Sequence, residues 1–168
     1  MALGLAATIQ LAAAQAPRPG RPNFSGVWTF TSSTPQQSAG GGSAAMRPGP
    51  RTIRQTATSL SIDHSFAGQT TTLTFSIGGE KDDTNRTGAQ VWTTKTRWDG
   101  KALVTSGRIE QNTSAGFEEW TYAEIRTLDA RGHMIVETKY TAADGKVTTG
   151  KQDWALPKSS RSLERHRP

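Results

Sequence analysis

No window of eleven or more residues in this sequence shows the apolar i, i+3, i+4, i+7 pattern that an amphipathic helix needs. From Arg51 onward, turn signals instead divide the chain into threonine-rich segments in which apolar and polar residues alternate. Trp98-Asp99-Gly100-Lys101 sets Asp-Gly between two such runs, a strong short-range hairpin signal. Asp129-Ala130-Arg131-Gly132 and Ala143-Asp144-Gly145 mark looser turns, and Gly68 and Gly78-Gly79 break the chain earlier. The pattern predicts strands near 24–31, 51–56, 59–66, 70–77, 90–98, 101–111, 117–127, 133–141 and 146–156. The expected fold is therefore all-β, an antiparallel meander of about nine strands. Sequential hairpins must hide their edges, and closure into a small barrel removes them. A two-sheet β-sandwich is the alternative that alternation leaves open.

Because strand side chains point alternately to opposite faces, the same pattern assigns sides. Phe24, Gly26, Trp28 and Phe30 share one face, as do Trp92, Thr94, Thr96 and Trp98. Trp120 with Tyr122, Met134 with Val136 and Tyr140, and Trp154 with Leu156 group likewise. A chain of 168 residues with 33% hydrophobic content can build one core this way, since each strand commits a single face to burial. There is no cysteine, which excludes a disulfide framework and a thiolate metal site.

The two ends differ from the middle. Residues 1–14 are uncharged and mostly apolar, too short for a membrane span but suited to the core of a signal peptide cleaved after Ala14. The expectation is export, to the periplasm or outside the cell. Residues 15–22 form a Pro-rich segment that cannot be helix or central strand. The β domain is expected over 23–156, interrupted by a flexible loop at 32–50 that contains Gly40-Gly41-Gly42-Ser43 and Pro48-Gly49-Pro50. Residues 157–168 read as a basic disordered tail. That tail carries about half of the formal charge of +6, which leaves the domain only mildly basic and gives no nucleic-acid surface.

Catalytic and metal signatures are missing from the sequence. His64, His133 and His166 have no metal-ligand spacing and are expected at the surface. Glu118 and Glu119 point to opposite faces, as do Asp63 and His64, so neither pair can act together. Asp82-Asp83 follows Gly-Gly-Glu-Lys and reads as a solvated turn. No Gly-x-Ser-x-Gly elbow is present, and nothing implies a cofactor. Trp92, Trp98, Trp120 and Trp154 suit either core filling or the lining of a pocket.

Asn23-Phe24-Ser25-Gly26-Val27-Trp28 resembles the opening of the calycins: lipocalins, fatty-acid-binding proteins and their bacterial relatives. The resemblance implies that Phe24, Gly26 and Trp28 are structural, with Trp28 plugging the closed end of a barrel. It further implies an arginine stacked on that tryptophan, for which Lys151 and Arg161 are the nearest positions. Fatty-acid binders in this family hold a carboxylate with an Arg and a Tyr, roles open here to Arg126 and Tyr140. The function expected is binding of a small apolar ligand in a cavity formed by Phe30, Phe75, Trp92, Trp120, Tyr122 and Tyr140, with Arg126 as an anion anchor. Two alternatives stand beside it. One is a module that binds or inhibits a protein partner through loop 32–50 and the ends. The other is a barrel enzyme of isomerase or cyclase type, which requires a buried titratable group among ring-lined walls.

Overall fold

The computed structural model describes residues 20–34, 48–66, 69–114 and 116–157. Ten strands follow one another: β1 Gly26–Thr34, β2 Arg51–Gln55, β3 Ser59–Phe66, β4 Gln69–Ser76, β5 Asp83–Thr87, β6 Gln90–Asp99, β7 Ala102–Thr113, β8 Gly116–Leu128, β9 Met134–Ala142 and β10 Val147–Ala155. All lie in one antiparallel sheet in the order β4-β3-β2-β1-β10-β9-β8-β7-β6-β5. The sheet rolls into a nearly closed barrel because β1 pairs on both sides. Gly26–Trp28 pair with β2, and Thr29–Thr34 pair with β10. A bulge between Phe30 and Ser32 marks the bend, pinned where Thr31 Oγ1 donates to the Asp153 carbonyl at 2.6 Å. One rolled sheet replaces the sandwich alternative.

Nine of these strands coincide with those predicted, and the tenth corrects the count. β5 reads Asp-Thr-Asn-Arg-Thr, with no apolar residue to reveal its alternation. Asp83 accordingly opens a strand and is not part of a turn. β5 is laddered to β6, while its other edge meets β4 through side chains. Asn85 Oδ1 accepts from the Thr74 amide and Asn85 Nδ2 donates to the Thr74 carbonyl, both at 2.8 Å. Asp83 accepts from the Ser76 amide at 2.6 Å and from Ser76 Oγ at 2.8 Å. These contacts satisfy backbone groups that the unsealed seam would otherwise leave without partners.

The first strand also runs further than predicted, since Ser32, Ser33 and Thr34 pair with Asp153, Gln152 and Lys151. Residues 35–47, which make up most of the expected loop, lie outside the described residues. So do the expected signal peptide, most of the Pro-rich segment, all but the first residue of the tail, and Arg161 and His166.

One end of the interior is packed with apolar side chains. This is the end of the β2–β3, β6–β7 and β8–β9 hairpins. The turn Gly100-Lys101 between β6 and β7 is tight because Gly100 takes φ 56°. Phe24, Trp28, Leu60, Leu103, Met134 and Trp154 are each essentially inaccessible here. Burying each large side chain contributes roughly 1.5–3 kcal/mol. Trp98 stacks on Phe24 at 6.1 Å, and Trp28 Nε1 donates to the Phe24 carbonyl at 2.7 Å. Gly26 suits its place beside this cluster, since its φ of 147° is a conformation that other residues rarely adopt. Lys151 does not stack on a tryptophan: it pairs with Glu137 on the outer face at 2.9 Å. The arginines found over tryptophan rings among the described residues are Arg51, 4.2 Å above Trp154, and Arg21, 5.3 Å above Trp98.

Candidate functional site

Beyond this apolar plug, each strand's inward alternation continues into polar residues. On β8, Leu128 is followed inward by Arg126, Glu124 and Tyr122. On β3, Leu60 and Ile62 are followed by His64, and on β10, Trp154 by Gln152. Arg51 on β2 is the register partner of His64, and Tyr140 on β9 is the partner of Tyr122. With Leu73, Phe75, Trp92 and Thr138, the polar residues of this set enclose a chamber of about 100 Å³. A wider groove of about 610 Å³ lies along β8–β10, lined by Ile125, Lys139 and Lys151 among others.

The chamber brings together five of the expected cavity residues: Phe75, Trp92, Tyr122, Arg126 and Tyr140. Their rings contact one another, Trp92 edge-on to Tyr122 at 5.0 Å and Tyr140 tilted against Tyr122 at 5.2 Å. Phe30 lies elsewhere, edge-on to Trp154 at 5.4 Å in the packed end. Trp120 is half-buried between Ile109 and Ala142, one inward position beyond Tyr122, and is not part of the lining. Sequence reasoning missed Arg51, His64 and Glu124. The signal was present as period two: Arg51 precedes Ile53, His64 follows Ile62, and Glu124 sits between two inward residues. His64 therefore faces inward, contrary to the surface position expected for it. His133 is half-buried, its Nδ1 2.8 Å from Asp153.

Glu124 and Arg126 form an ion pair whose side chains are only 8% and 4% exposed. Tyr122 Oη donates to the second carboxylate oxygen of Glu124 at 2.6 Å. Arg126 has donors to spare: among the described residues, its Nε and Nη1 are buried without a partner. Nε2 of His64 is buried and unpartnered as well. A buried donor left unsatisfied costs about 1–3 kcal/mol, more when charged, so the guanidinium favours a further acceptor beside it. With Arg51 and Arg126 against Glu124, the formal charge inside is positive.

Burial shapes how these groups titrate. It lowers Arg51 to about 10, with Glu124 opposing the shift. His64 is pushed down to about 4 by burial and then by the charges of Arg51 and Arg126. Burial, reinforced by Glu124, lifts Tyr140 to about 12 and Tyr122 well above its ordinary range. At neutral pH the imidazole and both phenols are thus uncharged.

His64 carries this into stability. Between pH 6.5 and about 4, the unfolded chain binds a proton at this position that the folded chain refuses. Stability should therefore be full above that window and fall as the pH drops through it, by up to about 3 kcal/mol. Urea unfolding of the parent chain and His64→Leu across this range is the check. If the variant loses stability as steeply as the parent, His64 is not the group responsible.

Among the described residues no cluster of three or more His, Asp or Glu side chains could hold a metal ion. No described helix is long and apolar enough to cross a membrane. The nearly closed antiparallel barrel is compatible with a calycin-like fold, yet no protein-family model matches the sequence and no curated protein matches it either.

Proposed function

We propose that this protein is an exported calycin-type barrel that binds a small molecule with a compact apolar body and an anionic head, a carboxylate being the simplest case. The observation that carries this reading is the Arg126 guanidinium, which belongs to the chamber's lining beside Phe75 and whose Nε and Nη1 are buried without a partner among the described residues. A guanidinium presents paired donors that match a carboxylate. Leu73, Phe75 and Trp92 supply apolar wall, and the apolar run over residues 2–14 supports export. A chamber of about 100 Å³ is smaller than the roughly 150 Å³ of a cavity that holds benzene, so it encloses the head and adjoining atoms of a small molecule and excludes drug-sized ligands, which need roughly 300 Å³ or more.

Calorimetric titration of the purified chain with benzoate, and with benzyl alcohol as its uncharged counterpart, tests the reading. Benzoate is expected to bind and benzyl alcohol to bind at least tenfold more weakly. Equal binding of the two, or none of either, would overturn it. The enzyme alternative draws on one specific feature, the short Tyr122–Glu124 hydrogen bond inside a ring-lined chamber. This is the buried titratable pair that acid–base chemistry needs.

A further inference from the structure

Resting on the anion-binding reading above, we propose that His64 sets the charge the chamber accepts: one monoanion at neutral pH, and a dianion only together with a proton taken up by His64. The argument starts from the charges enclosed. Arg51 and Arg126 bring two positive charges and Glu124 one negative, so a bound monoanion leaves the chamber neutral. A dianion would leave one negative charge uncompensated in a place largely removed from water, where such a charge is strongly disfavoured. His64 is the group placed to correct that.

Its surroundings on every side support the assignment. Arg51 from β2 is its register partner on one flank and Thr71 from β4 on the other. Glu124, Arg126 and Tyr122 reach the same chamber from β8, and Tyr140 from β9. Asp63, the preceding residue, points to the outer face, where it is held by Arg54 at 2.9 Å and Thr72 at 2.8 Å, and it acts on His64 only through its charge, which favours protonation but is outweighed. The imidazole Nε2 is buried and has no partner among the described residues. Burial opposes protonation of the ring, and after it so do the charges of Arg51 and Arg126. A dianion between those arginines reverses that balance, and the ring then gains both a proton and an acceptor. A monoanion only cancels the excess charge and recruits no proton.

The test uses the full chain and two probes of similar size whose charge does not change between about pH 5 and about pH 8: methyl sulfate, a monoanion, and sulfate, a dianion. Titration calorimetry in two buffers of different ionisation enthalpy reads affinity and proton uptake together. Sulfate is expected to bind with uptake of close to one proton, and to tighten by up to tenfold for each unit by which the pH falls. Methyl sulfate should change less than about twofold over the same range and take up almost no proton. His64→Asn, which keeps a polar donor but cannot titrate, should abolish the proton uptake and flatten the sulfate curve. His64→Leu should do the same, so that a folding defect in one variant does not decide the matter. If both anions bind but sulfate is insensitive to pH, or if the variants keep its proton uptake, the role of His64 is wrong and the anion site stands. If neither anion nor benzoate binds at any pH, the anion site itself is wrong and this proposal falls with it.

Discussion

Replacing Arg126 with alanine should cost about 3–5 kcal/mol of folding stability, whereas replacing Arg126 and Glu124 together with leucine should cost far less. The asymmetry follows from where the pair sits. Both side chains are almost fully removed from water, and among the described residues Tyr122 is the further hydrogen-bond partner of Glu124. Taking away the guanidinium strands a carboxylate in a low-dielectric chamber, and it also removes the cation resting 6.0 Å from Phe75. Taking away both charges removes the desolvation cost with the attraction, and such exchanges are often neutral or stabilising. Urea unfolding of the parent, the single variant and the double variant measures the difference, with an unchanged slope showing that the unfolding reaction is the same. A loss below about 1 kcal/mol for Arg126→Ala would mean that the pair is solvated and the chamber open to water. The double variant also separates stability from function, because it should fold and fail to bind benzoate.

Gly107→Ala should destabilise the barrel by about 3 kcal/mol or more, an unusually large effect for adding one methyl group. An added Cβ would stand 2.0 Å from the Thr93 carbonyl oxygen, 2.7 Å from Thr94 Cα and 2.9 Å from the Thr93 carbonyl carbon. All three are backbone atoms of β6, so no side chain can swing away, and β6 and β7 would have to part. The glycine is in register with Thr94 on one side and Tyr122 on the other. Trp92 and Tyr122 reach each other across β7 near this point, so the close approach of the strands also shapes one wall of the chamber. Gly78→Ala is the control, since nothing lies within 4 Å of its Cβ position and its φ is not positive. Thermal or chemical unfolding compares the two. A Gly107→Ala loss no larger than that of Gly78→Ala would show that the strands are not so close.

The two substitutions mark how differently fold and site could be read from sequence. Alternation and turn residues were enough for nine strands and their antiparallel order, because a half-buried strand writes its burial into every second residue. β5 escaped because its burial is slight and its task is polar. Asn85 and Asp83 bond to β4 in place of a backbone ladder, and Asp-Thr-Asn-Arg-Thr carries no apolar trace of this. The opening Phe24-x-Gly26-x-Trp28 was legible for a related reason, since a tight turn of chain around a buried ring leaves little choice of residue.

The site divides along the same line. The sequence by itself determined the all-β meander, the inward face where apolar residues alternate, and a ring-rich interior with Arg126 among its candidates. The tertiary structure alone decided which inward residues meet. Arg51, His64 and Glu124 lie on β2, β3 and β8, and only the pairing of β1 with β10 rolls the sheet so that they share one chamber. Alternation is a local property set by the pleat of one strand. The distance between side chains on different strands depends on closure and shear, which no short stretch of sequence records.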